Sequence, residues 1–301
     1  MLTNEKILVT GASGLVGLKL GRFLAASNEV WGLARFADPA KRALVEDAGM
    51  KPVSADMGGG DFAQLPDDFS YVLHLSHTRR GPDEFIEAID INAIGAGLLL
   101  QHCRTAKAAL VVSSTAVYSP PAEVFHLNRE DGDIGRAWAP WAPSSPVSKV
   151  SLEAVARFAA AAFDLPTVIM RLNTCYGMEG GMPVRDMATV AAGDPIRTFA
   201  DPYPHSPIHF DDMCDQIEPL LGAASTRGNI VNWCGDEVVT QRQWCEMAAE
   251  FSGQTLELIS HPIAGTPNGN AGDTAKRKAI TGPCRRPFRA SMQAIYDAMV
   301  A

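Results

Sequence analysis

The amino-acid sequence predicts an α/β protein with a doubly wound parallel sheet and a smaller C-terminal lobe. Short apolar segments alternate with longer helical patterns over roughly the first 170 residues, as in repeated βαβ units. These segments lack polar alternation, which is typical of strands covered on both faces. A glycine-spaced turn directly after the first segment is the third observation.

The elements follow from this alternation in chain order. The predicted strands cover residues 6–10, 30–34, 52–55, 71–75, 110–113 and 167–171. The predicted helices between them cover residues 14–26, 39–48, 84–105 and 147–163.

Beyond residue 171, glycine, proline and aromatic residues become denser and the predicted elements become shorter. We expect helices near 184–192, 211–222, 241–251 and 290–300, and a strand near 229–233. The sequence therefore predicts a dinucleotide-binding domain over residues 1–173, to which 206–232 return, and a substrate-binding lobe over 174–205 and 233–301.

Composition and charge restrict the class of function. The 301 residues are 47% hydrophobic and 20% charged, which is typical of a globular chain. A net charge of −8 would repel a polyphosphate backbone, so we expect no nucleic-acid partner. The longest apolar runs fall far short of the roughly 20 residues that cross a bilayer, and no basic leader precedes an apolar stretch, which predicts a cytoplasmic protein without a membrane partner. The six cysteines lack metal-ligand spacing, so we expect free thiols and no metal.

Glycines in the first turn have the spacing of a phosphate-binding loop. Gly11 would allow a tight backbone, Gly14 would let the chain approach a pyrophosphate, and Gly17 would let helix and strand pack closely. Amide groups at the start of the following helix would bind the phosphates. The pattern predicts a Rossmann-type dinucleotide site.

Together with Thr10, these glycines form Thr-Gly-x-x-Gly-x-x-Gly, which resembles the extended short-chain dehydrogenases/reductases, also called the NAD-dependent epimerase/dehydratase family. The resemblance is to an atypical member of the family, and it implies a nicotinamide dinucleotide cofactor. Further segments similar to those of the family are Asp56, His-Leu-Ser at 74–76, Asn92 with Gly95, Ser-Ser-Thr-Ala-Val-Tyr at 113–118, Arg-Leu-Asn-Thr-Cys-Tyr-Gly at 171–177 and Ile-His-Phe-Asp-Asp at 208–212.

The second strand bears on the choice of cofactor. An NAD site usually has a carboxylate at the end of this strand, whereas a 2′-phosphate needs a cation. Here Ala34 takes the acidic position and Arg35 follows, which favours NADP, with NAD as the alternative. Taken with the resemblance, the predicted cofactor-binding residues are Gly11, Ser13, Gly14, Leu15, Val16, Gly17, Arg35, Asp56, Met57, Leu75, Ser76, Asn92, Ser113, Lys149, Asn173 and Thr174.

Catalysis in this family is associated with a Ser or Thr and with Tyr-x-x-x-Lys on one helix. The resemblance aligns Ser114 and Lys149 with the first and last of these residues, but the position four before Lys149 is Ser145. An unperturbed serine hydroxyl is far less acidic than a phenol, so Ser145 should not replace tyrosine as an efficient acid or base. The predicted catalytic residues are Ser114, Ser145 and Lys149.

Three explanations of Ser145 remain open at this stage: different chemistry, cofactor binding without turnover, or an engineered change from tyrosine. The leading interpretation is an NAD(P)-dependent oxidoreductase or an epimerase/dehydratase-type enzyme. The competing interpretation is a catalytically silent NADP-binding sensor or scaffold. Lys149 is expected to bind the nicotinamide ribose in either case, as the resemblance implies.

The substrate is expected to be a small or medium-sized carbonyl, hydroxyl or enone compound, because the segment after Gly177 combines apolar bulk with few charges. Residues of the helix 150–163 are apolar on more than one face, which predicts a homodimer formed with the helix near 92–105. The predicted substrate-binding residues are His77, Ser114, Thr115, Tyr176, Met178 and Tyr203.

Overall fold

The computed structural model describes residues 2–135, 142–263 and 266–301. Its strands are β1 (Lys6–Thr10), β2 (Glu29–Ala34), β3 (Lys51–Ser54), β4 (Tyr71–His74), β5 (Ala108–Ser114), β6 (Thr167–Leu172), β7 (Cys175–Gly177), β8 (Gly180–Gly181), β9 (Ile196–Thr198), β10 (Pro204–His205), β11 (Ile208–His209), β12 (Asn229–Trp233), β13 (Val239–Thr240) and β14 (Leu258–Ser260). Its helices are α1 (Leu15–Ala25), α2 (Pro39–Asp47), α3 (Phe85–Ile89), α4 (Gly95–His102), α5 (Ser144–Ala162), α6 (Met182–Ala191), α7 (Phe210–Gly222), α8 (Gln241–Ser252), α9 (Ala275–Thr281) and α10 (Phe288–Val300).

The main sheet has seven strands in the order β12-β6-β5-β4-β1-β2-β3. The pairs β1·β2, β1·β4, β2·β3 and β4·β5 are parallel, which confirms the predicted doubly wound fold. Strand order reverses between β1 and β4, and ligands bind at the carboxyl ends of the strands at such a switch point.

Two compact units make up the chain. The first comprises Met1–Ser114, Trp141–Arg171 and Cys214–Val231, and the second comprises Thr115–Pro140, Leu172–Met213 and Asn232–Ala301. Each has its own apolar core: Leu8, Val72 and Leu152 are buried in the first, and Trp244, Met187 and Phe288 in the second. A substrate-binding role for the second unit stays a prediction.

The helix predicted over residues 84–105 is interrupted. A π-helical turn at Asp90–Ile94 separates α3 from α4, and Asn92 lies within it. The Asn92 amide group bonds both backbone groups of Thr78, and this contact depends on a distant segment that helical periodicity cannot reveal. Helix α9 was not predicted, because its Ala-Lys-Arg-Lys sequence has no apolar stripe.

Helix α5 is fastened to the sheet by an ion pair that is almost fully buried. Arg171 on β6 donates from Nε and Nη2 to the two carboxylate oxygens of Glu153, at 2.9 and 2.8 Å. Ser113 on β5 donates to the same carboxylate at 2.6 Å. Because every partner is desolvated, loss of one leaves an uncompensated charge.

We predict that Glu153→Ala lowers the free energy of unfolding by about 3–5 kcal/mol, because Arg171 keeps a buried charge without a partner. Urea unfolding followed by circular dichroism measures the change. Glu46→Ala is the matched control, since the Arg42–Glu46 side chains are 47% and 50% exposed. That control should cost less than about 1 kcal/mol, and equal losses in the two variants would contradict the prediction.

Candidate functional site

The glycine turn joins β1 to α1 at the switch point of the sheet. Gly11 has φ of +66°, a conformation that favours glycine, and a Cβ at Gly17 would lie 2.2 Å from the Gly11 carbonyl oxygen. No side chain caps α1, its first turn carries no acidic residue, and Leu15, Val16 and Gly17 are its first residues. The amide groups at this helix start are therefore available to an anion.

A cleft of about 480 Å³ opens beside this turn, and its lining lies in the first unit. It brings together many of the residues predicted from the sequence: Gly11, Ser13, Gly14, Arg35, Asp56, Met57, Leu75, Ser76 and His77. It also contains residues that the sequence analysis missed: Phe36, Ala37, Asp38, Lys41, Thr78 and Ile91. Most of these follow a predicted strand end by a few residues, and that proximity is the signal that could have found them.

One end of the cleft is basic. Arg35 and Lys41 are exposed there, and neither has a carboxylate partner among the described residues. The neighbouring carboxylate of Asp38 accepts a hydrogen bond from the Ala40 amide at 3.0 Å and caps α2. Strand β2 itself ends in Ala34. This end can therefore bind a phosphate group.

Asp56 follows β3 in the chain and precedes Met57, whose side chain is buried. Its Oδ1 accepts a hydrogen bond from the Gly58 amide at 3.1 Å, and this bond caps a short 3₁₀ turn. The side chain remains exposed in the cleft, where it can accept further hydrogen bonds.

Thr10 connects the ends of β1 and β4. Its Oγ1 accepts hydrogen bonds from the amides of Leu75 and Ser76, both at 3.1 Å, and lies 3.0 Å from Nδ1 of His74. Burial, assisted by the charge of Lys149, lowers the pKa of His74 to about 3, so this imidazole is neutral. The bonds to Thr10 thus fix the backbone of Leu75 and Ser76, which line the cleft at the start of the loop after β4.

His77 and Ser145 contact each other at the other end of the cleft region. Nε2 of His77 lies 2.8 Å from Oγ of Ser145, and Ser145 is on the first turn of α5. Burial lowers the pKa of His77 to about 2, and the nearby charge of Lys149 acts in the same direction. His77 is therefore a neutral hydrogen-bonding group near neutral pH.

Lys149 lies one helical turn beyond Ser145 and is buried. Its Nζ donates to the Val112 carbonyl oxygen at 2.6 Å. Burial lowers the pKa of Lys149 to about 7, although Glu153 acts in the opposite direction. This amine can gain or lose a proton near neutral pH.

Three further residues of the first unit were predicted to bind the cofactor or to act in catalysis: Ser113, Ser114 and Asn92. Ser114 ends β5 and is half-buried. Ser113 donates a hydrogen bond to Glu153, and the side-chain amide of Asn92 bonds the backbone of Thr78, so both side chains stabilise the fold. Their direct contact with a cofactor stays a prediction.

In the second unit, the predicted residues form polar contacts within that unit. Asn173 donates from Nδ2 to Thr115 Oγ1 at 2.9 Å and accepts from the Ser206 amide at 3.0 Å. Thr174 Oγ1 lies 3.1 Å from Nδ1 of His205. Their cofactor and substrate contacts stay predictions.

The aromatic and thioether candidates of this unit differ in exposure. Tyr176 is buried between His209 and Phe288, and burial raises its pKa above the ordinary phenol value. Burial raises the pKa of Tyr203 to about 12, so neither phenol is ionised near neutral pH. Met178 is exposed.

No group of metal-ligating side chains occurs among the described residues. The cysteines are free. Within those same ranges, no helix is long and apolar enough to cross a membrane.

Comparison with known proteins identifies one matching family and many similar structures. The sequence profile of the NAD dependent epimerase/dehydratase family matches residues 7–215. The chain has no significant match among curated protein sequences.

Several solved structures share the fold at low sequence identity. UDP-glucuronic acid 4-epimerase from Bacillus cereus, in complex with UDP-glucuronic acid and NAD, is 22% identical with a TM-score of 0.83 over 98% of this chain and 99% of that chain. UDP-N-acetylglucosamine 4-epimerase from Methanobrevibacter ruminantium M1, in complex with UDP-N-acetylmuramic acid, is 15% identical with a TM-score of 0.82 over 99% of both chains. dTDP-glucose 4,6-dehydratase from Bacillus anthracis str. Ames, in complex with NAD, is 18% identical with a TM-score of 0.80 over 98% of this chain and 96% of that chain.

Proposed function

Because the chain belongs to the NAD-dependent epimerase/dehydratase family, we propose that it is an NADP-dependent oxidoreductase acting on a small or medium-sized carbonyl, hydroxyl or enone compound. One observation carries the proposal: a single cleft runs from the uncapped start of α1 and the cations Arg35 and Lys41 to His77. His77 in turn contacts the helix that bears Lys149.

The residues of the cleft fit a dinucleotide. Backbone amides at the start of α1 would bind the pyrophosphate and Asp56 the adenine. Lys149, which lies outside the cleft lining, would bind the nicotinamide ribose, as the family resemblance implies. Arg35 and Lys41 would bind a 2′-phosphate, which supports NADP over the NAD named for the similar structures.

The bound nicotinamide would supply or accept a hydride. In the reduction direction, the substrate oxygen would take the proton of the Ser145 hydroxyl, and Lys149 Nζ, which bonds the Val112 carbonyl oxygen in this structure, would return a proton to Oγ through a water. Ser145 and Lys149 are four residues apart on α5 and therefore share a face. The side chain of Lys149 can supply this proton because its pKa is lowered to about 7.

A second candidate function is favoured by Ser145 itself. Without a phenol at this position, the same cleft could bind NADP and transfer no hydride, as in a sensor or scaffold protein. Both candidates require the cofactor contacts above, so only turnover separates them.

Charge pairing in the second unit supports a substrate without a diphosphate group. Most of the arginines described there are engaged by carboxylates, and Arg197 is exposed without such a partner. The ion pairs are Arg129–Asp131, Arg185–Asp186, Arg242–Asp201, Arg277–Asp236, Arg286–Asp212 and Arg289–Glu250. UDP-sugars, which are bound in some of the similar structures, form the competing substrate class.

A homodimer is proposed through an apolar face of the first unit. Leu98 on α4 and Phe158 on α5 are 42% and 67% exposed. Ile94, in the π-helical turn before α4, is 48% exposed, and Val147 on α5 is 42% exposed. Both residues add to this apolar face. An exposed apolar face of this kind is typical of an interface between subunits.

For the cofactor, Arg35→Ala should weaken NADPH binding by roughly 10- to 100-fold, because a charge-assisted bond to the 2′-phosphate is lost. NADH binding should change less than about twofold, since NADH lacks that phosphate. Fluorescence titration of both nucleotides measures the effect. Arg22→Ala is the control, as Arg22 is an exposed arginine in the last turn of α1. Equal losses for NADPH and NADH would contradict phosphate recognition by Arg35.

For turnover, we expect kcat for carbonyl reduction to fall as pH rises through about 7, because the step needs protonated Lys149. Lys149→Met should remove this pH dependence and lower kcat on the order of 100-fold. NADPH consumption across a panel of carbonyl and enone compounds is the assay. Lys107→Met is the control, because Lys107 pairs with Glu5 at the surface. An unchanged pH profile in Lys149→Met would refute the role of the lysine.

The variant Ser145→Tyr separates the two candidate functions in the same assay. Turnover by the unsubstituted chain supports the enzyme, and turnover in the variant alone identifies Ser145 as a block. If both proteins bind NADPH and neither consumes it, the sensor or scaffold is favoured.

For the dimer, sedimentation at micromolar concentration should give twice the 32.2 kDa chain mass. Phe158→Glu and Leu98→Glu should each yield monomer, because a charge at the centre of an apolar interface is costly. Leu44→Glu is the control, since Leu44 is 46% exposed on α2. A monomeric unsubstituted chain would disprove the proposed dimer.

A further inference from the structure

The loop after β4 is held on both sides of His77 by polar contacts within the first unit. Upstream, the Ser76 amide donates to Thr10 Oγ1 at 3.1 Å. Downstream, Asn92 accepts from the Thr78 amide at 2.7 Å and donates to its carbonyl oxygen at 2.8 Å. The backbone on either side of His77 is therefore fixed, which restricts where its imidazole can lie.

Helix α5 adds a third anchor for the same loop. Ser144 Oγ accepts from the Arg80 amide at 3.1 Å and donates to the Arg80 carbonyl oxygen at 3.0 Å. Ser145 follows at once and contacts His77 Nε2. Adjacent serines on α5 thus fix the loop backbone and meet its imidazole.

The environment of the imidazole determines which nitrogen carries its proton. Nδ1 of His77 is buried without a hydrogen-bond partner among the described residues. Orphaned buried N–H groups are rare, whereas an unpaired acceptor is tolerated more often, so the proton is best placed on Nε2. Burial, together with the charges of Lys149 and Arg79, disfavours a second proton on the ring.

With that tautomer, Nε2–H donates to Ser145 Oγ. The half-buried hydroxyl then keeps its own hydrogen, for which the described part of the chain provides no acceptor. A hydroxyl that accepts one fixed bond and has a free hydrogen is oriented to donate to an incoming oxygen atom.

We propose that His77 is a positioning residue whose Nε2–H fixes Ser145 Oγ and directs the Ser145 hydroxyl hydrogen at the reacting oxygen of the substrate. This inference rests on the proposed oxidoreductase function. The proton that leaves Oγ for the substrate oxygen is replaced from Lys149 Nζ through a water, so His77 keeps the same proton throughout. It acts through Ser145 and is not itself the acid.

Nitrogen-15 NMR of the cofactor-free protein tests the tautomer without any turnover. The His77 signals should show a proton on Nε2 and none on Nδ1 from pH 5 to 8. In Ser145→Ala, the Nε2 resonance should shift while Nδ1 stays that of an unprotonated nitrogen. A proton on Nδ1, or a doubly protonated ring at pH 6, would overturn the proposal.

Paired variants test the positioning role in the NADPH consumption assay. Gln at residue 77 keeps an N–H donor, so His77→Gln should retain kcat within roughly threefold. Leu has none, so His77→Leu should lose roughly 10- to 100-fold in kcat. The limb of the pH profile near 7 should persist in both variants, because Lys149 produces it. Equal losses in the two variants, or disappearance of that limb in His77→Gln, would show that His77 carries the proton instead.

The outcomes separate this inference from the proposed function. Turnover by a chain with the proton on Nδ1 overturns the role of His77 and leaves the oxidoreductase standing. A chain that binds NADPH, shows the Nε2 tautomer and turns over no compound supports the His77 to Ser145 bond and refutes the oxidoreductase. If His77→Leu does not fold by circular dichroism, Ser145→Ala and His77→Gln still decide.

Discussion

The geometry of the site depends on the hydrogen bonds that the Thr10 hydroxyl accepts. At the switch point, β1 and β4 lie side by side and the chain leaves both of them for opposite directions. The amides of Leu75 and Ser76 have passed the end of the ladder and would lack partners, but Thr10 Oγ1 accepts from both. Because that atom belongs to the residue before Gly11, the glycine turn and the loop after β4 share one anchor.

Helix α5 extends this constraint across the sheet through a polar stripe. Ser145, Lys149 and Glu153 recur every four residues, so they face the same side of the helix. Their bonds reach three parts of the first unit: the loop after β4 for Ser145, β5 for Lys149, and β5 and β6 for Glu153. A rotation of α5 by one residue would break every one of these bonds. The buried ion pair of Glu153 therefore also fixes the position of Lys149, which lies about one turn away on the same helix.

Sequence patterns predicted the parts of the fold that depend on local physics. Apolar runs located the strands of the main sheet to within a few residues, and the glycine spacing located the turn at Gly11. The same reasoning could not find the contact of His77 with Ser145, because 68 residues separate them and no local pattern links the loop after β4 to α5. Asn92 illustrates the same limit: its place in a motif was visible, but its bonds to Thr78 depend on tertiary packing. Lys41 was missed because only the folded turn after β2 brings it beside Arg35 in the cleft.

Serine at residue 145 changes which group titrates near neutral pH. With tyrosine in the family pattern, a lysine four residues on lowers the pKa of the phenol, and the phenol exchanges the proton. With serine, no group at residue 145 can ionise in that range, and no phenolate would stabilise the ammonium. Burial then dominates over the attraction of Glu153, and the pKa of Lys149 falls to about 7. The same charge, together with burial, keeps His77 neutral, so the imidazole can donate a hydrogen bond without competing for the proton. In the proposed mechanism, the lysine is therefore the source of the proton, and the histidine orients the Ser145 hydroxyl.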